Sequence, residues 1–598
     1  MDDKQTDVLI VGAGPAGMVS ALCLARLGLR SIVIERQPGL DEHPKGHEIN
    51  TRTIEILNEL GISTDELAEE ASPDSDGSRI LFCRTINEEF GRIDLLADGS
   101  SAQKYASHLR SKKPYLNLSQ TEFERVIRRH LSADPHIELL LLHEWQSVVD
   151  DGAATESEVR SLANGDAFRV RSRYLIGADG AGSRVRKSLG IEMIGPEKIE
   201  DFVNVYFEEN LRDFIETPAK LYWILHPEGY GAFIAHHVDK RWTYNFPIAS
   251  PYERLDDFTE EVLKQRIKKA LGADRDIHIK SVSNWRMTCQ VADRYRSGRV
   301  FLVGDSAHRF PPTGGLGLNT GIPDAHNLCW KLAAVMRGQA PESLLDSYES
   351  ERKPVAERNG AESLRNYNKM FEVIEAFGLK RDGPETLAKI KNNAVLKALP
   401  AFLRNAFLWL LRLPVHFLLK RFWLSKRVRS RVLHSIVDQT GHFDRIGLDI
   451  GYIYERGAVA TEPGGSTPYE QQVTDYTPST RPGARFPHVQ LNGKPEGRSS
   501  HDLMSYDRYT LLLGGDGANW REAAQSLDAS LKTEVRAVSV HEASIDPDAR
   551  ACLESTCEIG SDGALLLRPD GHVAWRRKDG AENPATALRD AAAEVGLA

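Results

Sequence analysis

The segment Asp7-Val8-Leu9-Ile10-Val11-Gly12-Ala13-Gly14-Pro15-Ala16-Gly17 constrains this chain more than any other. Val8 to Val11 are apolar without alternation, the pattern of a strand covered on both faces, as in a parallel sheet flanked by helices. Gly12-x-Gly14-x-x-Gly17 follows at once. Gly12 allows a tight turn, Gly14 lets a pyrophosphate approach the backbone, and Gly17 lets a helix pack on the strand. Past Pro15 and Ala16, the helix Met18 to Leu27 points free N–H groups and its positive dipole end at the phosphate. Gly28 closes it and Ser31-Ile32-Val33-Ile34 reads as the next strand. Glu35, followed by Arg36, then stands about 20 residues on, where a carboxylate binds a ribose hydroxyl pair.

A second segment, Arg299-Val300-Phe301-Leu302-Val303-Gly304-Asp305-Ser306-Ala307-His308, repeats the strand-to-turn logic and continues into Pro311-Pro312-Thr313-Gly314-Gly315-Leu316-Gly317-Leu318-Asn319. One phosphate cradle is a weak signal; two, so far apart, point to an extended flavin dinucleotide. A chain of 598 residues has room for about three or four domains. The net charge of −9 gives no global attraction to nucleic acid or to an anionic membrane. The six cysteines form no CxxC pair, so scattered thiols in a reducing compartment are expected and no metal site is. The acidic start runs straight into a strand, unlike a secretory signal, and no stretch suggests the about 18 apolar residues of a membrane span. The expectation is a cytoplasmic, multidomain protein.

These two segments, with Tyr174-Leu175-Ile176-Gly177-Ala178-Asp179-Gly180-Ala181-Gly182-Ser183 between them, resemble the single-component FAD-dependent aromatic hydroxylases, the 4-hydroxybenzoate hydroxylase-like flavoprotein monooxygenases. The runs Gly46-His47-Glu48-Ile49-Asn50-Thr51-Arg52-Thr53 and Leu221-Tyr222-Trp223, with a C-terminal extension, are similar to the phenol and chlorophenol hydroxylase branch. The resemblance implies an α/β fold: a Rossmann-type FAD-binding domain interleaved with a mixed-sheet substrate domain, a helical segment and a thioredoxin-like C-terminal domain. Residues 1–80, 105–186 and 285–370 would bind FAD, and 81–104 and 187–284 would form the substrate domain. Residues 371–445 would be helical, and 446–598 would hold a linker and the C-terminal domain.

The same resemblance implies FAD, NADH or NADPH as a transient co-substrate, and O2, with a C4a-hydroperoxyflavin delivering oxygen to a phenolic or polycyclic ring. Asp305, beside Gly304, and Gln120 would hold the ribityl chain. Gly315, Leu316, Gly317, Leu318 and Asn319 would open a helix whose N–H groups face the flavin N1–C2 carbonyl. Asp179 would sit near FAD and the nicotinamide, and Pro312 would wall the isoalloxazine. Lys45 and Arg52 are cations that could contact the cofactor or shape the flavin's position, with exposed surface charge the equal alternative. His47 is the candidate base for the phenol proton. Tyr222, His236 and Tyr244 are candidate substrate contacts, with core packing the alternative for each. A homodimer is expected from the family. Baeyer–Villiger or epoxidising chemistry on a polyketide-like substrate stays open, as does a flavin-binding module without turnover. Halogenation is disfavoured, since no Trp-x-Trp-x-Ile-Pro motif occurs among the nine tryptophans.

Beyond Gly338 the composition is helical to about residue 437. Residues 401–437 carry eight Lys or Arg and no acid, interleaved with Phe402, Phe407, Trp409, Phe417 and Trp423. Such a segment can lie on a membrane surface, but a helix packed on a flavin domain shows a similar stripe, and membrane contact is not expected. Pro414 is expected to break it. A Pro, Gly, Thr and Ser-rich linker, 461–483, precedes strands at Tyr509–Leu513 and 535–540, a helix at 520–527 and a hairpin at 565–575. Without a CxxC the tail is expected to be structural or dimer-stabilising.

Overall fold

The computed structural model describes residues 2–110, 113–462, 469–492, 497–515, 517–531, 534–542 and 545–597; part of the expected linker, 463–468, lies outside them. Five parallel strands form the first core in the order Val300–Leu302, Ala167–Gly177, Lys4–Val11, Ser31–Glu35 and Ile137–Leu141. Val8, Leu9 and Ile10 have no exposed surface, as an unbroken apolar run requires when both faces are covered. The helix Pro15–Arg26 packs against the long helix Leu316–Met336, so the two glycine segments meet in space. Strands His143–Asp150 and Thr155–Ser161 extend the sheet in antiparallel fashion.

A second, seven-stranded sheet runs in the order His278–Met287, Glu200–Glu208, Arg241–Ile248, Gly231–His237, Leu221–Ile224, Arg79–Cys83 and Glu89–Asp94. It is antiparallel except where Leu221–Ile224 lies parallel to Arg79–Cys83. Its side chains alternate between two faces. One face closes an apolar core around Tyr222, Phe233, Trp242 and Tyr244. The other turns toward the first sheet.

Two sequence expectations fail in the helical region. The helix Ala401–Leu424 runs unbroken through Pro414. Pro414 is exposed, so the carbonyl that loses its donor faces outward and does not force a break. The same helix is long and apolar enough to cross a membrane, which overturns the reading that no segment is. Charges at Arg404, Arg412, Lys420 and Arg421 interrupt any uninterrupted apolar count and hid it.

The C-terminal sheet has the order Val535–Ser539, Tyr509–Leu513, Ala564–Leu567 and Val573–Arg577, with helices Ala518–Leu531, Pro547–Cys557 and Pro584–Glu594. In chain order the elements succeed one another as β-α-β-α-β-β-α. The unit is bonded to the N-terminal part through buried charge. Arg568 donates to both Glu351 oxygens at 2.8 Å and to Asp570 at 2.5 and 3.0 Å, with no side-chain exposure. Glu351 also accepts from Lys331 at 2.8 Å and Asn327 at 2.7 Å. Burial works to raise the Glu351 carboxyl, but Arg568 and Lys331 outweigh it and hold the group at about 2. Removing one partner from such a cluster strands the other charge in low dielectric. Arg568→Met is therefore expected to cost about 3–5 kcal/mol of stability, read as a lower denaturation midpoint; an unchanged midpoint would show that the cluster holds nothing together.

Candidate active site

The two sheets and the helix Ser347–Ala376 enclose a cavity of ≈ 3330 Å³, against about 300–1,000 Å³ for an ordinary ligand pocket. Its first end is the glycine turn. Gly12 has φ 105°, and a Cβ there would stand 2.3 Å from the Ala178 carbonyl oxygen; one at Gly17 would stand 2.0 Å from that of Gly12. A Cβ at Gly14 meets nothing within 4 Å. Two glycines are thus spent on close packing and the third leaves open space over the helix N-terminus, where a pyrophosphate fits. Pro15, Ala16, Arg36 and Lys45 line the same end, and Lys45 pairs with Asp41 at 3.1 Å.

Glu35 takes the Ala13 and Gln37 backbone N–H groups, each at 2.9 Å, one on each oxygen, and retains lone pairs toward the cavity. Gln120 donates to Glu124 at 2.7 Å from the first turn of its helix. Asp179 caps the turn behind it, accepting from Arg184 N at 2.6 Å and Val185 N at 3.1 Å. Asp305 accepts no hydrogen bond among the described residues and opens into the cavity; enclosure by protein raises its pKa, against the pull of His308 and Arg309. The turn carrying it is held from below by Asp324, which accepts from Gly304 N at 3.1 Å and Arg352 at 2.8 Å and contacts His308 at 2.7 Å. Past Pro312, Gly315 takes φ 59° and starts the helix whose Leu316, Gly317 and Leu318 line the cavity. Acid, open glycine, unsatisfied carboxylate and helix N-terminus thus follow one another along one trough, which suits an extended dinucleotide ending in an isoalloxazine.

His47 lines the cavity beyond this helix start. Its Nδ1 lies 2.9 Å from Asn117 Oδ1. The Asn117 amide nitrogen donates to the Ala235 carbonyl at 2.9 Å and to Ser72 at 3.1 Å, which fixes the amide oxygen toward the histidine. Nδ1 therefore carries the hydrogen and Nε2 keeps a lone pair. Burial lowers the His47 pKa, Asn117 opposes, and Lys220 lowers it further, so the ring is neutral at pH 7. Next to it Glu48 is paired with both Lys220 and Arg445. Burial alone would raise Glu48; these two cations reverse that and keep it ionised.

Five expected contacts lie elsewhere. Tyr222 and Tyr244 face the opposite side of the sheet: Tyr222 OH donates to Thr217 O at 2.9 Å and Tyr244 OH to Tyr230 O at 3.2 Å. Alternation brings Leu221, Trp223, Asn245 and Pro247 to the cavity instead. His236 shares the inward parity but stands behind His47, edge-on at 5.8 Å between ring centroids. Arg52 is buried against the tail, donating to Asp570 O at 2.8 Å. Asn319 straps the helix start to the His47 segment, accepting from Asn50 N at 3.0 Å and Thr53 at 2.8 Å, and does not reach the cavity. Period two sets Trp223 and Tyr222 on opposite faces but does not say which face meets the cavity. Lys220 and Arg445, which come from separate parts of the chain, carry no local signal, and Asn117 would have needed its strand partner Glu48.

The chain matches the model of the FAD binding domain over residues 5–363 and that of the aromatic-ring hydroxylase C-terminal domain over residues 479–595. It is 30% identical to 2,4-dichlorophenol 6-monooxygenase of Cupriavidus pinatubonensis, over 96% of this chain and 93% of that one. It is 31% identical to aklavinone 12-hydroxylase RdmE of Streptomyces purpurascens, over 98% of each. Among solved structures the flavin-dependent monooxygenase PieE, in complex with FAD and substrate, superposes with a TM-score of 0.86 at 30% identity, covering all of both chains. The open cradle at Gly14, the free Asp305 carboxylate and these likenesses over the whole length agree: the chain belongs to the FAD-binding aromatic-ring hydroxylases and is an FAD-dependent monooxygenase.

Proposed function

We propose that the chain hydroxylates a phenolic ring of a polycyclic aromatic substrate, using FAD, O2 and electrons from NADH or NADPH. One oxygen atom enters the ring and the other leaves as water, with the nicotinamide hydride and a proton balancing the reduction. FAD, when bound, supplies the electron transfer and the oxygen activation. The observation that carries the reading is His47, neutral and with Nε2 free, on the wall of a cavity large enough for a dinucleotide and a multi-ring substrate together. Nε2 would take the phenol proton, and the phenolate makes the ring carbon a stronger nucleophile. Asn117 holds the tautomer, and Glu48, pinned by Lys220 and Arg445, fixes the backbone beside the histidine. Asp305 would accept ribityl hydroxyls, and the helix N-terminus at Gly315 would favour negative charge on the reduced ring. Trp223 and Pro247 would contact the apolar substrate body and exclude water. A dichlorophenol and aklavinone in the names of relatives support a range from single rings to polycycles.

Asp305→Ala is expected to weaken FAD retention by about tenfold to a hundredfold, measured as flavin absorbance per chain after gel filtration; full occupancy would remove its assigned role. His47→Ala is expected to keep FAD and lower kcat by about a hundredfold or more. Because burial holds the His47 pKa below its ordinary 6.5, the wild-type acid limb should lie below that pH. The variant should lose this limb and regain turnover only as the pH rises through the substrate's own phenol pKa. An unchanged profile would exclude His47 as the proton acceptor.

A further inference from the structure

The helix Ala401–Leu424 has two faces of unlike character. Inward, Leu408, Leu419 and Phe422 are buried, and Leu411, Val415 and Leu418 line the cavity. Outward, Leu410, Phe417 and Leu424 follow one another at helical spacing and are 55%, 61% and 78% exposed, flanked by Phe402 at 71% and Trp409 at 58%. Soluble surfaces seldom present large aromatic and aliphatic side chains in one unbroken patch. The patch ends in cations: Lys420, Arg421, Lys426 and Arg427 are exposed and make no ion pair among the described residues. The stretch 401–437 has eight Lys or Arg and no acid, in a chain whose net charge is −9.

We propose that this helix docks the enzyme on an anionic lipid surface, lying in the plane of the interface. The inner face, where Leu408, Leu419 and Phe422 are buried and Leu411, Val415 and Leu418 line the cavity, favours an in-plane helix over a spanning one, although length and hydropathy allow a span. The outer apolar side chains would sink to the boundary between headgroups and acyl chains, and the cationic end would meet lipid phosphates. A second copy of the chain is the rival occupant. Its own 401–437 stretch has no acid to offer these cations, whereas an anionic bilayer satisfies both the apolar stripe and the charge. Because the inner face of the same helix walls the cavity, docking places the lipid phase one helix thickness from the substrate chamber.

The test is flotation of the full-length, FAD-loaded protein with vesicles of phosphatidylcholine alone and of phosphatidylcholine mixed equally with phosphatidylglycerol. The wild type is expected to float with the anionic vesicles, to stay behind with the neutral ones, and to release as salt rises. The double variant Leu410→Glu/Phe417→Glu is expected to lose about tenfold or more of the floated fraction, with unchanged FAD content and unchanged turnover of a water-soluble phenol. Lys420→Gln/Arg421→Gln, which leaves the apolar stripe whole, should float less with anionic vesicles at low salt. No flotation of the wild type, or equal flotation of the wild type and Leu410→Glu/Phe417→Glu, overturns the proposal. So does sedimentation velocity in which Leu410→Glu/Phe417→Glu dissociates an oligomer that never floated, since the face is then an interface between copies.

Discussion

Glu351 is the residue on which the arrangement of the whole molecule turns. Its carboxylate lies with no exposed side-chain surface between two helices of the flavin half and the hairpin turn of the C-terminal sheet. A lone buried carboxylate would take up a proton or pull water inward. Here Arg568, Lys331, Asn327 and the Ala458 backbone N–H supply its bonds, each at 2.7–2.8 Å. The desolvation penalty is met only when all these elements are present, so the two halves fold as one body although sequence composition marks them as separable.

The same principle operates in miniature at the cavity. Glu48, Lys220 and Arg445 come from the start of a short strand, the edge of another and the helical region, and their pairing locates the segment bearing His47. His47 itself belongs to the opposite electrostatic class. It and His236 are pushed toward the neutral form by burial, with Asn117 orienting the first. Fixed charges set the geometry while an uncharged imidazole stays available for a proton.

How much of this the sequence revealed depends on range. Gly12, Gly14 and Gly17 were legible because steric demands act within one turn: a Cβ at Gly12 or Gly17 would clash with backbone, and Gly14 leaves space open. Asp305 was legible because its strand-to-turn context is local. Tyr222 and Tyr244 were misplaced because alternation fixes which residues share a face, but not which face meets a ligand. Arg52 looked like a cofactor cation because nothing near it in sequence announces Asp570, its partner far down the chain. Lys220 and Arg445 were invisible for the same reason. Pro414 misled through a rule that holds for enclosed helices and relaxes where the freed carbonyl is outside.

The helix Thr51–Glu59 begins directly after the His47 segment, and its Glu55 is clasped by Arg485 and Arg52. Arg485 lies in the tail and Arg52 is anchored on the tail's Asp570 carbonyl. The tail is therefore part of the scaffold that aims the reaction chamber. Cutting the chain before it would not yield a smaller catalyst, because Glu55 would lose a guanidinium and Arg52 its anchor at the root of that segment. For anyone reshaping substrate range, positions 485, 568 and 570 are remote in sequence and mechanically adjacent to the chemistry.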